Sequence, residues 1–154
     1  MKINSAYIRI KYPNLIAGAI AGSAPVKFFP GEMDCRGFYR VTTRTFSTTP
    51  AGEVCSDNIR KSWHTIQQIG SHMVGKRLLS EIFNTCDTIT DVNPLLDLLQ
   101  DCWGSMAMMD YPYPTNFMGN VPAWPVTEAC KHLNQPYKPE DLIRKILRKF
   151  NWLD

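Results

Sequence analysis

The sequence predicts one helix and one buried strand, followed by a mainly α-helical region. Residues 15–24 form a short, uncharged segment of apolar and small side chains that ends at Pro25, and this pattern is typical of a buried strand. No second strand pattern follows residue 27. From there on, apolar residues recur at the three- and four-residue steps of amphipathic helices, and Pro, Gly and Asn separate the segments.

The first helix is predicted over residues 3–12, because its apolar side chains have helical spacing and Pro13 ends it. A helix followed by a strand is half of a βαβ unit. A single strand cannot satisfy its own edges, and its neighbours are absent from this sequence. The first 27 residues are therefore expected to belong to a larger sheet.

Four amphipathic helices are predicted after residue 27. Ser56 or Asp57 is expected to cap the first, Thr90 and Asp91 the third, and the fourth begins after Pro139. The expected inward-facing residues are Ile59, Trp63, Ile66 and Ile69 in the first; Leu78, Leu79, Ile82 and Phe83 in the second (73–83); Leu95, Leu98, Leu99, Cys102, Trp103 and Met106 in the third; and Leu142, Ile143, Ile146, Leu147 and Phe150 in the fourth.

Residues 110–125 predict a packed, ordered loop, because four prolines and four aromatic residues in sixteen positions suit neither a regular helix nor a flexible linker. Asp110 begins this segment directly after an apolar run. A carboxylate held there is expected to be partly buried and to need a partner. Two roles stay open for it: a functional acid, or a structural cap that anchors the loop.

Composition and motifs exclude several classes of function. A net charge of +3 with scattered basic residues is not a nucleic-acid footprint, and the basic cluster near the C-terminus complements a helix dipole. No apolar run is long enough to span a membrane, and the first residues lack a signal-peptide pattern. Cysteine spacing predicts no metal site, and no cofactor motif occurs. No Gly-x-Ser-x-Gly sequence is present; Ser23 fits a strand end, and the three histidines fit solvated positions.

The five cysteines leave two environments open. Cys35, Cys55, Cys86, Cys102 and Cys130 are well spread and odd in number. They suit either a secreted protein with disulfides whose partners are partly missing, or a cytosolic protein with inert buried thiols.

Two stretches carry a resemblance to a known family. Residues 5–26, SAYIRIKYPNLIAGAIAGSAPV, resemble the segment that follows the catalytic serine motif in the family of Pro-X carboxypeptidase and dipeptidyl peptidase II. Residues 106–126, MAMMDYPYPTNFMGNVPAWPV, resemble the helical insertion of the same family, and MMDYPYPT is closer to dipeptidyl peptidase II. The similarity extends over about residues 5–133.

The resemblance implies an α/β-hydrolase fragment, with residues 1–27 as a remnant of the hydrolase core and residues 28–154 as an incomplete helical cap domain. It implies a lysosomal or secreted serine exopeptidase that uses a Ser-Asp-His triad, needs no metal or cofactor, and cleaves peptides next to Pro or Ala. The direction of cleavage and the oligomeric state stay open, with a homodimer as one option.

Carrying the family's residues over assigns no catalytic residue to this chain. The serine would precede Met1 and the Asp and His would follow Asp154, so the chain alone is expected to be inactive. The family's aromatic loop implies a substrate-binding surface, and the competing view is that this loop only braces the cap. The surface comprises Asp110, Tyr111, Tyr113, Asn116 and Phe117.

The resemblance also implies a disulfide between Cys55 and Cys130. Cys35 and Cys86 match family cysteines whose partners are expected past the end of this chain, and Cys102 is expected to be a free thiol. Two other functions compete with the exopeptidase: a non-catalytic helical module that binds peptides or a full-length relative, and a cytosolic enzyme that depends on a reactive cysteine.

Overall fold

The computed structural model describes residues 2–27, 29–116 and 119–147 and divides the chain into two compact units, Met1–Gly37 and Phe38–Asp154. The described residues contain helices α1 (Lys2–Lys11), α2 (Gly37–Ser47), α3 (Glu53–Gly70), α4 (Met73–Ile82), α5 (Asn93–Met108), α6 (Pro125–Cys130) and α7 (Pro139–Leu147).

In the first unit, the predicted helix is confirmed as α1. It closes with a 2.8 Å hydrogen bond from the Tyr12 amide to the Ile8 carbonyl, and Pro13 has no amide with which to continue the ladder. The Tyr7 hydroxyl donates to the Val26 carbonyl at 2.5 Å, so α1 holds the end of the segment that follows it.

The predicted strand is wrong. No strand occurs in the described residues, and the segment after α1 is irregular and exposed: Leu15 is 79% and Ile20 is 95% exposed. A strand satisfies its backbone groups only through a neighbouring strand. Since the described part of the chain provides no such neighbour, apolar composition alone does not produce one here.

In the second unit, α3 packs against α4 and α7, and α5 packs against α6. The core has two clusters, and Trp63 contacts both. The first contains Phe46, Cys55, Ile59, Trp103, Met106, Val126, Ala129, Cys130, Leu133, Leu142 and Ile146; the second contains Ile66, Leu79, Leu95, Leu99 and Ile143.

The predicted N-cap of α3 is wrong. The helix begins at Glu53 after Gly52, whose φ of 61° suits glycine, so Ser56 and Asp57 lie inside the first two turns. The Ser56 hydroxyl donates to the Glu53 carbonyl at 3.0 Å, and Asp57 forms an ion pair with Arg60. The apolar spacing correctly predicts the helix but does not predict its first residue.

The predicted cap of α5 is displaced. Val92 occupies the N-cap position, and Asp91 lies one residue earlier, where its Oδ1 accepts the Asn93 amide at 3.1 Å. Thr90 does not cap the helix through its side chain; its carbonyl accepts a 2.6 Å hydrogen bond from Lys76 of α4.

Two residues of the predicted inward faces are exposed. Leu78 on α4 is 42% exposed and Leu98 on α5 is 59% exposed, whereas the adjacent Leu79 and Leu99 are buried. α4 ends at Ile82, one residue before the predicted end. Of the predicted face of α7, Leu142, Ile143 and Ile146 are buried, and Phe150 lies outside the described residues.

The first turn of α4 approaches the end of α3 so closely that it requires glycine at position 75. A Cβ on Gly75 would lie 1.8 Å from the backbone oxygen of Ile69, far inside van der Waals contact. The close approach of the two helices at this point therefore depends on the missing side chain.

Two helices were not predicted individually. α2 contains one valine and three threonines, residues that favour strands, yet its hydroxyl groups bond to carbonyls of the same helix and Phe46 is buried. α6 has six residues, begins at a proline and is too short to show a periodic pattern.

Two ties hold α3 to distant parts of the unit. A disulfide joins Cys55 of α3 to Cys130 of α6, with both residues buried, and it is the pair that the resemblance implied. One turn along α3, the buried Asn58 donates from Nδ2 to the carbonyls of Leu133 at 3.1 Å and Gln135 at 2.8 Å. Both ties fix the segment around α6 against α3.

Candidate functional site

The aromatic loop, defined here as residues 110–124, leaves α5 at Asp110. Asp110 Oδ1 accepts the backbone amide of Val126 at 3.2 Å, and Val126 is the second residue of α6. The carboxylate thus satisfies one of the free amides at the start of α6. This contact is the kind expected of a structural anchor, and it uses one of the two carboxylate oxygens.

Asp110 is half-buried, and this burial raises the pKa of its carboxyl group above the usual value near 3.8. The hydrogen bond from Val126 acts in the opposite direction and is the smaller effect. Burial therefore favours the neutral, protonated form of Asp110.

The two ends of the loop are tied together by backbone hydrogen bonds. The Trp124 amide donates to the Tyr111 carbonyl at 2.8 Å, and Thr115 and Val121 exchange two bonds at 2.9 and 2.7 Å. Trp124 adopts a left-handed conformation with φ of 52°. These hydrogen bonds join the two sides of the loop at two places, and this supports the prediction of an ordered loop for its described residues.

Tyr111 and Tyr113 lie together on the surface. Their rings stack with centroids 5.6 Å apart and planes 11° apart, and the residues are 43% and 58% exposed. The intervening Pro112 fixes the backbone between them. The pair forms a flat aromatic surface that is open to solvent.

Asn116 lines an open depression together with Pro114, Asn120 and Glu128. The two tyrosines do not line that depression. Phe117, the fifth residue of the predicted surface, lies outside the described residues. The structure therefore brings together Tyr111 and Tyr113, and ties Asp110 to α6.

Ser23 does not have the setting of a nucleophile elbow, which requires a strand before the serine and a helix after it. It has a φ of 55° in a turn, and the next helix is α2, which begins at Gly37. Across the described ranges, no three metal-binding side chains are grouped to hold an ion. No helix of those ranges is long and apolar enough to cross a membrane.

The cysteines outside the disulfide differ in environment. Cys35 and Cys86 are exposed thiols, unpaired within the described residues. Burial, with a smaller effect from Asp101, raises the pKa of the Cys102 thiol. A raised pKa reduces the thiolate fraction, which is the opposite of what a cysteine nucleophile requires.

A groove between α2, α3 and α5 was not predicted from the sequence. It has a volume of about 220 Å³, and its lining includes Tyr39, Phe46, Arg60, Trp63, Gln100 and Trp103. Two of these, Trp63 and Trp103, were expected to be core residues. Their role in a groove could not be inferred because α2, which supplies the opposite wall, was not predicted as a helix.

A family model and several known proteins match most of this chain. The family model described as serine carboxypeptidase S28 matches residues 3–153. Lysosomal Pro-X carboxypeptidase of Bos taurus is 36% identical over 151 residues, covering 96% of this chain and 30% of the relative. The Homo sapiens protein of that name is 33% identical over 141 residues, covering 90% and 28%. Prolyl carboxy peptidase like protein 5 of Caenorhabditis elegans is 34% identical over 143 residues, covering 89% and 28%. The chain thus spans less than a third of the length of these relatives.

Proposed function

Since the chain belongs to the serine carboxypeptidase S28 family, we propose that it is part of a serine-type exopeptidase that cleaves peptides next to proline or alanine. The observation that carries this proposal is the match over residues 3–153, which includes the aromatic loop. Family membership supports a peptide substrate. The preference for proline or alanine is proposed in addition, and the direction of cleavage is tested below.

In the proposed arrangement, residues 1–27 belong to the core of an α/β-hydrolase and residues 28–154 to a helical cap over its active site. Two observations support the division. The chain separates into compact units at Gly37, close to the proposed boundary, and the second unit has its own core and disulfide. The exposure of Leu15 and Ile20 fits a segment that other strands cover in the full-length protein.

We assign substrate contact to the aromatic loop, with Asp110, Tyr111, Tyr113, Asn116 and Phe117 as its residues. The stacked tyrosines offer a flat aromatic surface of the kind on which a proline ring packs. The Asp110 carboxylate, with one oxygen held by Val126, has a second oxygen for the free amine of a peptide.

The test uses a full-length relative that carries the aligned acid. Asp110→Asn keeps an oxygen for the Val126 amide but removes the charge. We expect KM for a peptide with proline as the second residue from its free N-terminus to rise about tenfold or more, because a charge-assisted hydrogen bond to the substrate amine is lost. Asp97→Asn, an exposed acid on α5, is the matched control and should leave KM unchanged. Equal KM values in both variants would reduce Asp110 to a structural anchor.

Identification of the products that the full-length protein releases resolves the direction of cleavage. Release of an N-terminal dipeptide ending in Pro or Ala would indicate a dipeptidyl peptidase. Release of the single residue that follows a penultimate proline would indicate a carboxypeptidase. Hydrolysis of neither substrate by the full-length protein would refute the proposed exopeptidase.

The chain by itself is proposed to be inactive, since it contains no Gly-x-Ser-x-Gly sequence and no residue is assigned to the triad. A second candidate is a non-catalytic helical module that binds peptides. The separate core of unit Phe38–Asp154 favours it. A cooperative thermal transition of a monomer would support this module, whereas aggregation or a molten state would support an incomplete peptidase.

For the full-length protein we propose a lysosomal or secreted location. The buried disulfide supports folding in an oxidising compartment, and the relatives named lysosomal point the same way. A homodimer is a further proposal, and light scattering of the purified full-length protein tests it. Colocalisation with a lysosomal marker, or recovery from the medium, tests the location.

A further inference from the structure

The groove between α2, α3 and α5 has the size of a small-ligand site. Its volume is about 220 Å³. An apolar cavity of about 150 Å³ engineered into another protein binds benzene, so this groove has room for one aromatic ring with a short substituent. Its residues do not overlap with those of the aromatic loop.

The apolar side of the groove is preformed by the core. Phe46 and Trp103 are 2% and 4% exposed, and their rings meet edge to face with centroids 5.4 Å apart. Ile59 is also buried, and the half-buried Trp63 packs against both core clusters. Because these side chains are fixed by packing, a ligand would not have to order them on binding.

The groove has one charged side chain, which can donate to an anionic group. Arg60 is the charged residue among the described residues that line it, and no acid lines it. The ion pair with Asp57 uses Nη1 of Arg60. A guanidinium carries five N–H donors in a planar fork, so donors are left for a carboxylate.

The hydroxyl groups of the groove leave one donor in position. Thr42, Thr43 and Ser56 donate their protons to carbonyls of their own helices. Tyr39 differs, because its oxygen accepts a 2.5 Å hydrogen bond from Gln100. With Gln100 as the donor in this contact, the hydroxyl proton of Tyr39 can be donated to a ligand. The groove thus presents donors and an aromatic wall.

We propose that this groove binds a small aromatic carboxylate. The ring packs against the walls formed by Trp63 and Trp103, and the carboxylate accepts hydrogen bonds from Arg60 and from the Tyr39 hydroxyl. The site uses none of the residues of the aromatic loop, so its test does not depend on the role proposed for that loop.

The first test titrates the whole chain with 3-phenylpropionate by calorimetry, with 3-phenylpropionamide as the neutral isostere. We expect saturable binding of the acid, and affinity for the amide at least about tenfold weaker, because the charge-assisted hydrogen bonds are lost. Arg60→Gln should weaken binding of the acid by a similar factor. Lys61→Gln, the neighbouring exposed cation, should leave it within about twofold. Absence of saturable binding, or equal affinities for acid and amide, would refute the proposal.

A second test blocks the groove without altering its charge. Thr43 lines the groove from an exposed position on α2, so Thr43→Trp should abolish binding while the thermal unfolding midpoint stays near that of the parent chain. Val41→Trp, at a 66% exposed position of the same helix outside the groove, is the matched control and should bind normally. Undiminished binding by folded Thr43→Trp would place the ligand elsewhere and overturn the assignment.

Discussion

Removing the disulfide between Cys55 and Cys130 should cost a large share of the stability of this chain. The two residues are 75 positions apart. Releasing a loop of that length in the unfolded state corresponds to about 4.5 kcal/mol at room temperature in the chain-entropy model. Proteins of this size are typically stable by only about 5–15 kcal/mol. The double substitution Cys55→Ala with Cys130→Ala should therefore bring the protein close to unfolding.

Urea unfolding followed by circular dichroism measures this loss. The control is Cys35→Ala with Cys86→Ala, which removes two exposed thiols and should change the unfolding free energy by less than about 0.5 kcal/mol. A difference of less than about 1 kcal/mol between the two double variants would refute the reasoning. In that case the unfolded chain would already hold the two positions close together.

Three further perturbations test the packing and the loop. Leu99→Ala should lower the unfolding free energy by about 2–5 kcal/mol, whereas Leu98→Ala, at the exposed neighbouring position, should lower it by less than about 1 kcal/mol, and equal losses in urea would contradict the assigned faces of α5. Gly75→Ala should cost at least about 2 kcal/mol because its Cβ would overlap a backbone oxygen of α3, and Gly18→Ala, which has open space around it, is the control. The folded state holds the Asp110 proton more tightly than the unfolded state. Its contribution to stability is therefore fully present below about pH 3.8 and is lost as pH rises through the raised pKa. Asp110→Asn removes this dependence. The free energy of unfolding of the variant, relative to the parent, should therefore rise as pH increases from about 3.8 through the raised pKa of Asp110. Identical dependence of the two unfolding free energies on pH would contradict this prediction.

The helices that could be predicted are those whose apolar residues recur over several turns. The stripe from Ile59 to Ile69 predicted α3, and residues 95–106 predicted α5. Which flank of such a stripe is covered depends on neighbouring elements, and this is why Leu98 was placed on the wrong side. The start of α3 was also misplaced, because a polar residue that suits a cap is equally able to bond to a carbonyl inside the first turns, as Ser56 does.

Where local preference and tertiary contact disagree, the sequence was a poor guide. The threonines and valine of α2 favour a strand, but burial of Phe46 against Trp103 stabilises the helix. The segment around Ile20 has the composition of a buried strand, and the described residues offer it neither a partner nor cover. In both cases the deciding interactions are non-local.

The candidate site was predicted in part. The order of the aromatic loop followed from its prolines, and the partial burial of Asp110 followed from the apolar run before it. The partner of Asp110 could not be inferred, because α6 is too short to be recognised in advance. The stacking of Tyr111 on Tyr113 depends on backbone angles that residue types alone do not specify.

The two ties from α3 to the segment around α6 also bear on the rate at which the chain folds. The contact between α3 and α4 is local in sequence and can form early. The Cys55–Cys130 bond and the Asn58 hydrogen bonds close loops of 75 to 77 residues. Loop closure over such distances costs entropy before any contact compensates for it, and non-local contacts slow folding. The hairpin of α3 and α4 should therefore form while Cys55 is still a free thiol. Formation of the disulfide between Cys55 and Cys130 should then stabilise contacts that form late in folding.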